Sequence, residues 1–297
     1  MGMTIAEKVF AARSGRPSVH PGDLVFAKVD RVLGTDVTCS LSIKVFEEMG
    51  AGRVFDPSKL ALVNDHFVPA KDIKAAQLSK NMREFAAAQG VENYFEVGRS
   101  GICHSLLPDE GLVKPGDLVI GADSHTCTHG AVGAIATGVG STDMAAAWAL
   151  GELWFRVPST IRINVNGRLP EGVCAKDVIL HILGRLGVEG ALYKVIEFHG
   201  PVIEAMSMDG RFTIANMAVE AGAKSGVIAS DRTTLDYLES VGVADAGFLD
   251  ADPDAAYEEV LQFDVSTLRP QVAKPYLPSN AVDVEEVAGT KIDQVVI

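Results

Sequence analysis

Short apolar segments alternate with longer stretches of helical composition along most of the chain, and this alternation limits the folds open to it. DLVFAKVDRVLG, LALVN and DLVIG read as strands; AKDIKAAQLSKNMREFAAAQG between the last two has helical composition and ends in Gly90, suited to a helix C-cap. Strand–helix–strand succession builds parallel sheets covered by helices, so the expected class is α/β. A proline in RVPST interrupts the pattern. A second set then begins: strand IRINVNG, helix AKDVILHILGRLG, strand KVIEFHG, helix TIANMAVEAGA, strand GVIAS and a helix opened by Asp231.

The chain has 297 residues, more than the roughly 100–200 usual for one domain. The expected division is a first domain over 1–157 and a second over 158–273. Residues 274–297 read as a proline-rich extended connector running into a strand, KIDQVVI. The stretch LDADPDAAYEE reads as irregular.

A net charge of −13 opposes nucleic acid, whose binding relies on Lys and Arg displacing counterions, but it leaves room for a small anion in a local pocket. No apolar run reaches the roughly eighteen residues of a membrane span. The N-terminus reads as a helix with a Thr4/Glu7 capping box and not as a signal peptide, so a cytoplasmic protein is expected. Cys39, Cys103, Cys127 and Cys174 lie far apart without a CxxC pair and read as free, packed thiols.

The densest chemical feature is GADSHTCTHGAVGAIATGVGSTDMAAAWALG, residues 121–151. The strand DLVIG delivers Asp123, Ser124 and His125 at its C-terminal end, where α/β proteins gather ligands, and the glycines that follow permit close backbone approach. Ser141 or Asp143 is placed to cap the next helix; the alternative is a glycine-rich turn with ordinary polar caps. In VNDHF, Asp65 and His66 also end an apolar strand. A carboxylate beside an imidazole suits acid/base work near neutral pH, although neighbours in an extended chain face opposite ways. His104 lies beside Cys103 before turn signals at Pro108, Asp109 and Gly111, and reads equally as a structural histidine. In TIANMAVEAGA, Asn216 and Glu220 share a helix face by their spacing of four, and a carboxylate on so apolar a helix needs a partner or a shift toward its neutral form. His20, His181 and His199 read as turn or core residues.

Taken in order, NDH at 64–66, GICH at 101–104, ADSHT followed by GVGSTD, and IANMAVEAGA resemble the aconitase superfamily over the whole chain. The opening helix and TDVTCS at 35–40 resemble the large subunits of its isopropylmalate dehydratase and homoaconitase branch. The resemblance implies aconitase-like α/β/α layers forming the first two domains of a large subunit. It implies a hydro-lyase that moves a hydroxyl between adjacent carbons by dehydration and rehydration. The expected reaction interconverts 2- and 3-isopropylmalate in leucine biosynthesis, with homoaconitate or a related di- or tricarboxylic acid as the alternative.

By the same resemblance, one iron of a 4Fe–4S cluster acts as Lewis acid. Asp65 and His66 handle the proton of the leaving hydroxyl, with His104, Asp123 and His125 around them. Glu220 hydrogen-bonds the iron-bound water, Asn216 neighbours the cluster, and Ser40 and Ser124 touch substrate. The cluster motifs SCTN and CGPC are absent, so no metal ligand is expected in this chain and the chain alone is expected to be inactive. A small subunit with a swivelling domain is the implied partner, bringing a serine base and substrate-binding arginines. Two rival readings are a non-catalytic assembly domain, and direct zinc or magnesium binding by the Asp and His residues.

Overall fold

The computed structural model describes residues 2–296. Helix α1 (Ile5–Ser14) begins at the capping box read from the sequence. The Thr4 amide donates to Glu7 Oε2 at 2.7 Å, the Glu7 amide donates to Thr4 Oγ1 at 3.3 Å, and Gly15 closes the helix at φ 67°. Strands β1 (Leu24–Lys28) and β2 (Arg31–Thr35) follow, where the apolar run reads as one strand. Between them Asp30 accepts the Leu118 amide at 2.8 Å and pairs with Arg13 Nε at 2.7 Å, which fastens the junction and lets the two strands join different partners.

Then come α2 (Asp36–Glu48), β3 (Leu60–Val63), α3 (Ile73–Gln89), β4 (Asn93–Phe95), α4 (Cys103–Asp109), β5 (Leu118–Gly121), β6 (Ile135–Gly138), α5 (Ser141–Leu150) and β7 (Glu152–Arg156). Five strands form a parallel sheet in the order β4-β3-β2-β5-β6, while β1 and β7 pair antiparallel. The chain steps outward from β2 to β4 and returns on the other side of β2 for β5. The order therefore reverses between β2 and β5, and at such a reversal the connections diverge and leave a crevice beyond the carboxyl ends of the strands. Strands β3 and β5 are buried at all four positions, as expected for inner parallel strands covered on both faces. Phe85 stacks on Trp148 with ring centroids 4.9 Å apart, and Phe46 meets both edge-on, which joins α2, α3 and α5.

The second sheet is built from β8 (Thr160–Asn166), α6 (Ala175–Leu186), β9 (Val195–His199), α7 (Pro201–Glu204), α8 (Met208–Asn216), β10 (Ser225–Ile228), α9 (Arg232–Ser240) and β11 (Glu259–Asp264). It is parallel throughout, in the order β10-β9-β8-β11. An antiparallel hairpin of β12 (Gln271–Ala273) and β13 (Ala281–Asp283) lies against α6, its second strand inside the stretch that reads as a connector. The fold class is thus α/β. No described helix is long and apolar enough to cross a membrane.

Several contacts tie the sheets together. Glu197 on β9 is fully buried; it accepts the Ile5 amide at the start of α1 at 2.8 Å and also meets His199 and Tyr257. The 3-10 helix Ser124–Val132 packs on β10 and α8, and the Ala136 amide donates to Ser225 Oγ at 3.2 Å.

Several local readings change. α5 is capped by Gly140, with Ser141 and Asp143 inside its first turn. TIANMAVEAGA does not continue as one α-helix: α8 ends at Asn216 and a 3-10 turn runs Met217–Ala221, closed by Gly222 at φ 81°. β6 lies hidden in the glycine-rich tract and β11 follows the Asp-rich stretch, because pairing with β5 and β8 outweighs weak local propensity. In KIDQVVI, residues 291–296 form no strand, since apolar composition alone provides no ladder partner, and Ile297 lies outside the described residues.

Gly130 reports on the contact between the sheets. A Cβ there would sit 1.8 Å from the Gly226 carbonyl oxygen, a backbone atom with little freedom to move. Gly130→Ala is expected to lower unfolding free energy by about 2 kcal/mol or more, within the roughly 1–3 kcal/mol typical of overpacking. Urea denaturation measures this, and an unchanged midpoint would mean that the helix does not press on β10 as described.

Candidate active site

The site is assembled around two aspartates at strand ends. Asp36, at the end of β2, is fully buried, and its carboxylate accepts the amides of His66 at 3.1 Å and Phe67 at 2.8 Å. This turns the chain sharply after β3, so Asp65 and His66 escape the opposite orientations of an extended strand. Asp65 Oδ2 then accepts the Cys103 amide at 2.7 Å, satisfying the first free donor of α4 and setting His104 in its first turn.

Asp123, just beyond β5, is the hub. Its Oδ1 meets His104 Nε2 at 2.9 Å and accepts the His125 amide at 2.8 Å; its Oδ2 lies 3.2 Å from His66 Nε2. Burial alone would raise the Asp123 pKa. The His104 hydrogen bond and charge, the His125 amide and the His66 charge overcome that and hold the carboxyl well below the usual carboxylate range. Asp65 Oδ2 is 4.0 Å from His66 Nδ1, so Asp123 is the closer carboxylate to the His66 ring.

His125 points the other way. Its Nε2 lies 3.3 Å from Glu220 Oε1 and its Nδ1 lies 3.2 Å from Ser124 Oγ. Glu220 is therefore partnered, although it sits on a 3-10 turn and not on the face of a continuous α-helix. Asn216 donates to Thr128 Oγ1 at 2.9 Å and accepts Cys127 Sγ at its carbonyl, which pins the end of α8 to the helix carrying His125. The structure thus links Asp65, His66, His104, Asp123, His125 and Glu220 in one run of contacts at the carboxyl edge of the first sheet. Ser40 is not part of it: its Oγ on α2 accepts from Asn81 at 3.3 Å, and it is hydrogen-bonded to none of the six.

His66, His125 and Glu220 are 40 %, 37 % and 30 % exposed at the side chain, whereas His104 is 10 % exposed. The first three can meet a ligand and His104 stands behind them. A cavity of about 680 Å³ opens beside Asp123 and Ser124, with Thr137, Gly138, Val219 and Gly222 also in its lining; the rings of His66, His104 and His125 are outside it.

Two residues escaped the sequence reading. Asp36 lay in the TDVTCS segment, but nothing local marks it as the cap of a loop thirty residues away. His129 is fully buried with its ring 5.7 Å from that of His104, and burial first, then the His104 charge, push its pKa down to about 3 against the opposing pull of Asp123. Its signal was a second histidine four residues after His125.

The four cysteines are free. Cys39, Cys103 and Cys127 are buried, Cys174 is exposed, and burial pushes the Cys127 thiol up to about 12. Among the described residues no three His, Cys, Asp or Glu side chains are grouped to hold a metal ion. These residues do not fit as ligands of an iron–sulfur cluster, which requires thiolates gathered at one place.

The model of the Aconitase family (aconitate hydratase) matches residues 7–296. The chain belongs to the aconitase family. The 3-isopropylmalate dehydratase large subunit of Moorella thermoacetica is 55 % identical over 297 residues, covering 100 % of this chain and 70 % of that protein. The large subunit of the same name from Heliobacterium modesticaldum is 54 % identical and covers 100 % and 71 %, and large subunit 1 of Pyrococcus furiosus is 53 % identical and covers 100 % and 70 %. Among solved structures, Thermococcus kodakaraensis aconitase X is similar with a TM-score of 0.48 and 13 % identity, over 81 % of this chain and 58 % of that one. Membership implies a 4Fe–4S cluster in the complete enzyme.

The depressed Asp123 pKa carries a sign for stability. The unfolded chain binds this proton more readily, so the stabilisation is present above the unfolded value near pH 4 and fades as pH falls toward the native pKa. Asp123→Asn is expected to flatten the acid limb of stability below about pH 4. Urea midpoints measured from pH 6 downward check this; an acid limb as steep as wild type would remove Asp123 from the ion-paired centre.

Proposed function

We propose that this chain is the large-subunit part of a hydro-lyase that interconverts 2-isopropylmalate and 3-isopropylmalate by dehydration and rehydration, a step of leucine biosynthesis. The observation that carries the reading is Asp123 bridging His66 and His104, beside His125 and Glu220, in a chain 55 % identical to a protein of that name. Removing water from a hydroxy acid takes a proton from the carbon next to a carboxylate and delivers one to the departing hydroxyl. The product pair is an alkene and water.

His66 is suited to the second task. It is partly exposed and its Nε2 lies 3.2 Å from Asp123, so it is placed to offer a proton to the hydroxyl and recover one on rehydration. Asp123 and His104 hold it in place, and Asp65 fixes the start of the helix carrying His104. His125 and Glu220 form a second exposed pair able to orient the departing oxygen, with Ser124 contacting substrate and Asn216 steadying the pair from behind. Ser40 contributes a substrate contact only if the substrate extends along α2.

The proposal extends to organisation. Residues 1–157 and 158–273 act as two domains with the site on the first and Glu220 supplied by the second. The cluster ligands come from outside these 297 residues, because the cysteines present are scattered. A small subunit bearing a swivelling domain closes the site and supplies the carbon base, and the assembly works in the cytoplasm.

The test is turnover by the complete large and small subunits with the cluster in place, followed through absorbance of the alkene. His66→Asn is expected to reduce kcat by about 10²–10⁴, the range for loss of a general acid, with smaller effects on KM. Wild-type rates in both His66→Asn and Asp123→Asn would return this chain to an assembly role. Faster turnover of homoaconitate than of isopropylmalate would keep the chemistry and change the substrate.

A further inference from the structure

His129 has no part in the chemistry above, yet its place beside His104 is unusual. The ring is fully buried, and neither Nδ1 nor Nε2 has a hydrogen-bond partner; the adjacent His104 Nδ1 is also buried and unpartnered. The two rings meet edge to face, with centroids 5.7 Å apart and planes at 62°. Buried ring nitrogens without partners are costly, and a phenylalanine of similar shape would avoid that cost, so packing alone does not account for an imidazole here.

The bonding of His104 shows where a second nitrogen would be used. Its Nε2 is engaged with Asp123 Oδ1 at 2.9 Å, so Nε2 carries the proton in the neutral ring and a second proton enters at Nδ1, the buried side. We propose that His129 is a positioning residue for His104, accepting the new Nδ1–H when His104 becomes imidazolium, so that the two rings together hold a proton behind Asp123. No bond other than N–H changes: His104 gains a proton from water at Nδ1 on becoming imidazolium and returns it to water on becoming neutral, and His129 accepts the hydrogen bond while the proton is there.

His129 is equipped for this because burial pushes its pKa down to about 3, so the ring is neutral near neutral pH and one nitrogen keeps a free lone pair. The other titratable groups around His104 are Asp123 and His125 on one side, His66 and Asp65 from the loop after β3, and Cys103 on its own helix. None of them is bonded to Nδ1 of His104.

The inference rests on the proposed reaction for its kinetic readout, and a second readout is independent of it. In the complete two-subunit enzyme, His129→Phe keeps the ring shape and removes both nitrogens, while His129→Asn keeps one acceptor. The pH profile of kcat/KM is recorded for each, with the limb belonging to His104 recognised by its loss in His104→Asn. His104 titration is followed in the same complex by its ring ¹⁵N shifts, without substrate. His129→Phe is expected to move the His104 titration down by about one pH unit and to lower kcat/KM at neutral pH about tenfold, with thermal stability kept or raised; His129→Asn restores most of both. An unmoved titration in His129→Phe, or an equal shift in Phe and Asn variants, overturns the proposal. If His129→Phe does not fold, His129→Leu takes its place under the same two criteria. Failure of the wild-type complex to turn over isopropylmalate sinks the assigned reaction instead, and the ¹⁵N titration still decides the role of His129.

Discussion

The carboxylate of Asp123 is the interaction on which the site depends. One oxygen holds the His104 ring and the His125 amide in the first turn of its helix, and the other reaches His66. A half-buried carboxylate with so many donors around it is held as the anion. Loss of any one partner would leave a charge or a ring nitrogen without compensation. The cluster therefore behaves as a unit and not as separable residues.

Its location follows from strand order. β2 and β5 lie side by side where the sheet changes direction, and their carboxyl ends place Asp36 and Asp123 across one crevice. Asp36 bends the loop after β3 into that crevice, and Asp65 in turn receives α4. Each element is thus held by a side chain from a neighbour, using backbone donors that would otherwise be unsatisfied. Glu220 enters from the second sheet, which makes the packing of the 3-10 helix Ser124–Val132 on β10 and α8 a condition of the complete site.

Much of this was legible locally. The Thr4/Glu7 box, the Asp231 cap, the Gly90 closure of α3 and the buried strands LALV and LVIG express short-range chemistry, and the structure follows them. Readings went astray where local composition was ambiguous. IATG lacked strand character because its glycine and small residues hide in a covered sheet, and the helix through Asn216 tightened to 3-10 geometry where it meets the Ser124–Val132 segment. KIDQVVI has strand composition but no neighbouring strand among the described residues.

By itself, the sequence determined the types of most elements, their caps, the absence of a long apolar span and the motifs that mark the aconitase family, because these depend on residues within a few positions of one another. Only the tertiary structure decided which histidine meets which carboxylate, that Asp36 shapes the loop bearing Asp65 and His66, that Ser40 stands apart, and that His129 lies behind His104. Those contacts join residues up to 95 positions apart, and their geometry comes from sheet order and burial, which no local stretch of chain encodes.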